Sequence, residues 1–150
     1  MKTLFLTAFL SLVFVGCIQT GARHSNSISV AGGGVASLDG LVLINLRGEE
    51  HPAEEVLRDA KAVFFTCGCE PCKKEASRVS HLSDQIACIS YLSIEELGEF
   101  VRIVGWKGEV WRDPGMVVEN KLGIFDCPKF MVNEQGKMRM CNVNELRAFL

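Results

Sequence analysis

The chain has no excess of positive charge. Sixteen Lys and Arg face eighteen Asp and Glu, for a formal net charge of −2, so no basic field invites nucleic acid. Nor is there an apolar run long enough for a permanent bilayer span, which takes about 20 residues in a helix; the longest, Leu4 to Val15, is shorter. No internal repeat is present. His24, His51 and His81 stand singly without ligand spacing, and none follows between His81 and Leu150, which argues against a histidine-based metal centre. These absences leave a chain of 150 residues, 48% hydrophobic and 23% charged, ordinary for one globular domain.

Cysteine is what the sequence has in excess. Of seven, Cys67, Cys69 and Cys72 crowd into six residues, which favours redox or metal chemistry over a scaffold of spread disulfides. At the N-terminus, Lys2, the apolar stretch and Phe14-Val15-Gly16-Cys17 read as an export signal over residues 1–16. The last four residues resemble a bacterial lipobox, so Cys17 is expected to be lipidated. Residues 17–37, rich in Gly, Ser, Ala and Asn, read as a flexible tether. A domain over 38–150 would then sit outside the cytoplasm, in the cell envelope and lipid-anchored to a membrane, where disulfide chemistry is possible.

Within that domain apolar runs and helical periodicity alternate. Leu41 to Leu46 reads as a strand, 52–60 as a short helix and Ala62 to Phe65 as a strand buried on both faces. Cys72, Ala76, Val79 and Leu82 form a helical stripe, and Ile86 to Ile89 a second buried strand. Ser93-Ile94-Glu95-Glu96 is a capping box opening a helix through Val104. Trp106 to Trp111 reads as extended, Asp113-Pro114-Gly115 as a turn, and Met116 to Leu122 as a short helix stopped by Gly123. A hairpin follows, turning at Asn133 to Gly136, then a helix capped by Asn144. Alternation of this kind predicts an α/β domain with a mixed central sheet flanked by helices.

Cys69-Glu70-Pro71-Cys72-Lys73-Lys74-Glu75 opening a helix, with the later Gly123-x4-Pro128 segment and hairpin, resembles the thioredoxin-like fold. The match is strongest to the ResA/TlpA group of thiol-disulfide oxidoreductases, within the redoxin and AhpC/TSA superfamily. The resemblance implies that Pro128 is a cis-proline beside the dithiol and that Glu75 tunes thiol protonation. It also implies protein disulfide or dithiol substrates, including the oxidised haem-attachment site of apocytochromes c, and a membrane electron donor. Gly68, Val63 and Cys127 depart from the family pattern, where tryptophan, a polar or acidic residue, and threonine or valine are usual.

A dithiol at a helix start is suited to thiol-disulfide exchange, because unpaired amides and the helix dipole favour a thiolate there. Cys69 is therefore expected to be the nucleophile and Cys72 the resolving thiol, with Lys73 adding positive field. Cys67 and Cys127 are extra thiols beside them, while Cys88 and Cys141 read as structural. This reading needs no cofactor and no metal. Two alternatives stay open: soft-metal binding (copper or zinc) through Cys67, Cys69, Cys72 and Cys127, and a peroxiredoxin-like peroxidase. The Pro-x3-Thr-x2-Cys context expected of the latter is absent.

Overall fold

A computed structural model describes residues 27–30 and 34–150; the export signal and Cys17 lie outside the described residues. Strands β1 (Ser27–Val30), β2 (Gly34–Ser37), β3 (Val42–Asn45) and β4 (Glu50–Pro52) precede helix α1 (Ala53–Asp59). Then come β5 (Ala62–Phe65), α2 (Glu70–Val79), β6 (Ile86–Ser90), α3 (Ile94–Val104), β7 (Val110–Arg112) and α4 (Val117–Lys121). Hairpin β8 (Lys129–Glu134) and β9 (Lys137–Cys141) and helix α5 (Val143–Phe149) close the chain. Among the described residues the strands form one mixed sheet, ordered β2-β1-β9-β8-β5-β6-β7-β3-β4.

The centre of that sheet follows from hydropathy. Every residue of β5 and β6 is buried, as expected of parallel strands covered on both faces. They pair in parallel from Ala62↔Ile86 to Phe65↔Ile89, and β8 pairs antiparallel on the other side of β5. Side chains alternate across the sheet. Val63 and Phe65 join Leu43, Leu57 and Met131 on one face, while Phe64 joins Ala76, Leu97, Phe130 and Leu146 on the other. Phe64 stacks on Phe130 at 4.7 Å and on Trp106 at 5.5 Å between centroids.

Helix boundaries are set by local chemistry. Ser93 Oγ accepts from the Glu96 amide while Glu96 accepts from the Ser93 amide, the expected box, and α3 ends at left-handed Gly105. For α5 the expectation is corrected: Asn142, not Asn144, is the cap, accepting from the amides of Asn144 and Glu145. β9 stays extended through Cys141, so Asn142 is the last extended residue, and Glu145 three positions later completes the box. Helix α2 stops at Val79, and Leu82 falls in the 3-10 segment Ser80–Gln85 that follows.

The tether reading also changes. Ser27–Val30 and Gly34–Ser37 form an antiparallel hairpin, and β1 runs parallel to β9 through Ser29↔Lys137 and Val30↔Met138. Ile28 and Leu38 are buried in the core beside Met138. The folded unit therefore begins before residue 38. Its edge strand β9 offers open hydrogen-bonding groups, and a segment with few apolar residues is recruited to cover them. Among the described residues no helix is long and apolar enough to cross a membrane.

Candidate active site

The end of β5 delivers the cysteines. Thr66 extends the pairing by donating its amide to Ile89 O at 3.0 Å, and its buried Oγ1 accepts from the Gly68 amide at 3.1 Å. Gly68 takes φ +72°, a value that side chains disfavour, and a Cβ there would lie 2.8 Å from Leu92 Cδ1. Glycine thus lets the chain turn beneath Leu92. Cys69 follows as the extended N-cap of α2, without a side-chain cap bond, and Pro71 occupies the first turn. The Lys73 amide closes that turn on Cys69 O at 3.0 Å.

Three thiols meet at this point. Cys69 Sγ lies 3.0 Å from Cys72 Sγ, and Cys67 Sγ lies 3.7 Å from it. All three sulfurs fall within 4.8 Å of one another. Cys72 is fully buried, whereas Cys67, Cys69 and Cys127 are half-buried. Cys127 comes from the other side of the sheet mouth. Phe65 pairs with Lys129, so the cis Cys127–Pro128 bond faces the turn after β5.

Hydrogen bonding ties the clustered thiols into one titrating network. The Cys127 thiol, acting more strongly than any other neighbour, holds Cys72 below the usual thiol range, with Cys69, Thr66 and the Cys67 amide adding to it. Burial, followed by donation to Cys72, pushes Cys69 up, against the opposing pull of the Cys72 amide. Donation to Cys72, then burial, also pushes Cys127 up. At 3.0 Å apart the two sulfurs titrate as a pair rather than as separate groups.

The remaining site residues divide. Lys73 pairs with Glu70 at 2.7 Å. Glu75 receives two bonds from Arg78, at 2.9 and 3.1 Å, and does not join the thiol cluster. With Arg78, Pro128, Lys129 and Asn144 it lines a groove of about 460 Å³ beside the cis-proline. Cys88 is core, its thiol pushed up by burial, and burial pushes half-buried Cys141 to about 11.

Two groups that sequence reasoning missed stand behind the cluster. Asp113, 1% exposed, accepts from the amides of Val117, Val118 and Glu119 at 3.1, 3.2 and 2.8 Å. Glu119 is fully buried with neither carboxylate oxygen hydrogen-bonded. Burial, then the Asp113 charge, pushes it to about 7, and its field reaches Cys127, Cys88 and Tyr91. A glutamate in a short polar helix carries no sequence signal of burial. Thr66 was visible only as the residue before Cys67.

No family model matches the chain. A curated relative, the chloroplastic thioredoxin-like protein AAED1 of Arabidopsis thaliana, is 33% identical over 114 residues. The match covers 69% of this chain but only 45% of the relative, so the chain spans about half of that protein's length. Among solved structures, a secreted Mycobacterium tuberculosis disulfide oxidoreductase homologous to E. coli DsbE superposes with a TM-score of 0.59 at 17% identity. That match covers 72% of this chain and 92% of the other. The thioredoxin domain of a Bacteroides vulgatus thiol-disulfide oxidoreductase gives 0.56 at 17% identity, covering 73% and 91%. Sheet order, cis-proline and these likenesses agree: the chain has a thioredoxin-like α/β fold.

Proposed function

We propose that this protein is a thiol-disulfide oxidoreductase that reduces or exchanges protein disulfides through Cys69 and Cys72. The observation that carries the reading is the 3.0 Å contact between a half-buried Cys69 and a fully buried Cys72 at an uncapped helix start. Of the two, only Cys69 is open to a protein substrate. Its proton passes along that contact to the Cys72 thiolate, which makes Cys69 nucleophilic where the helix amides favour charge. Cys69 then attacks one sulfur of a substrate disulfide, forming a mixed disulfide and expelling the other sulfur as a thiolate, which takes up a proton. Cys72 gives up its proton and attacks the Cys69 sulfur. The products are the Cys69–Cys72 disulfide and a second substrate thiol, so two electrons have moved to the substrate.

An extended substrate would lie in the groove beside Pro128, where Glu75, Arg78, Lys129 and Asn144 offer charged and polar contacts. The sequence signal supports anchoring through lipidated Cys17 outside the cytoplasm, and the secreted M. tuberculosis neighbour agrees with an extracytoplasmic site of action. Resemblance to the ResA/TlpA group extends the substrates to the oxidised haem-attachment site of apocytochromes c, with a membrane donor re-reducing the pair.

Equilibration with dithiothreitol or glutathione, followed by alkylation and mass mapping, tests the core claim. The expected product is one Cys69–Cys72 disulfide of defined potential, with disulfide reduction lost in Cys69→Ser. Reduction that persists in that variant would overturn the reading.

A further inference from the structure

The mechanism uses two of the three clustered sulfurs and leaves Cys67 without a task. Cys67, Cys69 and Cys72 are the only group of three or more His, Cys, Asp or Glu among the described residues placed to hold an ion together. Metal–thiolate bonds run about 2.3 Å, so three sulfurs around one ion in a plane stand about 4 Å apart. The sulfurs here are 3.0 and 3.7 Å apart in two pairs, and within 4.8 Å overall. Opening the tightest contact by about 1 Å would complete the triangle.

We propose that the reduced protein binds one Cu(I) ion through the thiolates of Cys67, Cys69 and Cys72. An all-sulfur donor set selects a soft ion. Three donors without a fourth distinguish Cu(I) from zinc, whose structural sites are almost always four-coordinate. The further thiol nearby, Cys127, is not among the sulfurs that fall within 4.8 Å of one another. Positive field is available, because α2 presents its N-terminal amides at Cys69. Binding displaces protons from the thiols, so affinity weakens as pH is lowered.

Such a site is exclusive with disulfide exchange. When a substrate disulfide takes two electrons from the Cys69 and Cys72 thiolates, those sulfurs bond to each other and the substrate leaves as two thiols after taking up two protons from solvent. Copper then keeps Cys67 alone and is released, still Cu(I). Copper binding and oxidation of the pair therefore compete for the same two sulfurs, and forming the disulfide leaves the ion without its site.

The test is anaerobic Cu(I) titration of the reduced full-length protein against a competing chelator, with X-ray absorption at the copper edge. One ion per chain and three sulfur scatterers are expected. Loss of outer-shell partners alone costs 10–100-fold in metal affinity, so Cys67→Ser should weaken binding by more than about 100-fold. Cys141→Ser should leave affinity unchanged, and oxidation of Cys69–Cys72 should release the ion. Failure to retain Cu(I) against the chelator, or equal affinity in Cys67→Ser, would overturn the proposal. So would a four-sulfur zinc site in its place. Disulfide reduction by metal-free protein is measured separately, so failure of either idea leaves the other standing.

Discussion

Cys72 Sγ lies 3.0 Å from Cys69 Sγ, yet only Cys69 has solvent access. The inner sulfur can hold charge and the outer one can reach a substrate. A proton moving between them links the two roles without side-chain rearrangement. In a pair this close the titration steps belong to the pair. The first proton leaves early because Cys127 and its neighbours stabilise the Cys72 thiolate, and the second leaves late because burial and that thiolate oppose it.

The corresponding prediction concerns thiolate absorbance. Reduced protein should already carry one thiolate at pH 7, lost only in acid, since the Cys72 pKa is depressed. Cys72→Ala should remove that acid-side step and leave Cys69 titrating on the alkaline side. A thiolate signal at pH 7 that survives Cys72→Ala would place the charge elsewhere.

How far this arrangement can be read without coordinates depends on the range of the interactions. The buried runs of β5 and β6 were legible because strands covered on both faces need apolar residues at every position. The Ser93–Glu96 box was legible because all its atoms lie within one turn. Asn142 was missed in favour of Asn144 because the end of β9 depends on pairing with β8. β1 and β2 were missed because Ile28 and Leu38 acquire their burial from Met138 and the rest of the core, not from their own segment. The approach of the Cys127–Pro128 bond to the turn after β5 is likewise a matter of register, through Phe65↔Lys129.

Glu119 should make stability depend on pH. Its folded pKa, about 7, exceeds the ordinary value of about 4.3, so the native state holds a proton that the unfolded chain releases. Stability therefore falls as pH rises from about 4.3 to 7 and levels off above, a loss on the order of 3 kcal/mol. Glu119→Gln should flatten that slope while leaving stability near pH 4.3 much the same. Urea midpoints at pH 5 and pH 8 give the comparison. Parallel losses in both proteins would rule out Glu119 as the source.

Gly108 tests the packing beneath the sheet. A Cβ at this position would lie 1.9 Å from Ser83 O and 2.5 Å from Ile86 O, both main-chain atoms that cannot rotate aside. The neighbouring Lys107 amide donates to Ser83 Oγ at 3.0 Å, which pins the two segments together. Gly108→Ala should therefore cost more than the ~1–3 kcal/mol typical of overpacking. A thermal midpoint within a degree or two of the parent would contradict the close approach.

The groove beside Pro128 separates binding from chemistry. Glu75 and Arg78 hold each other through two bonds and line this groove without entering the thiol cluster. Exposed ion pairs contribute only about 0–1 kcal/mol to stability, so Arg78→Ala should fold normally. If a substrate chain lies there, the variant should raise KM for a disulfide-bonded protein several-fold and leave kcat close to the parent. The rate with a small disulfide that contacts only Cys69 should not change. A fall in kcat with both substrates would instead connect the pair to the dithiol, returning Glu75 and its partner to proton transfer.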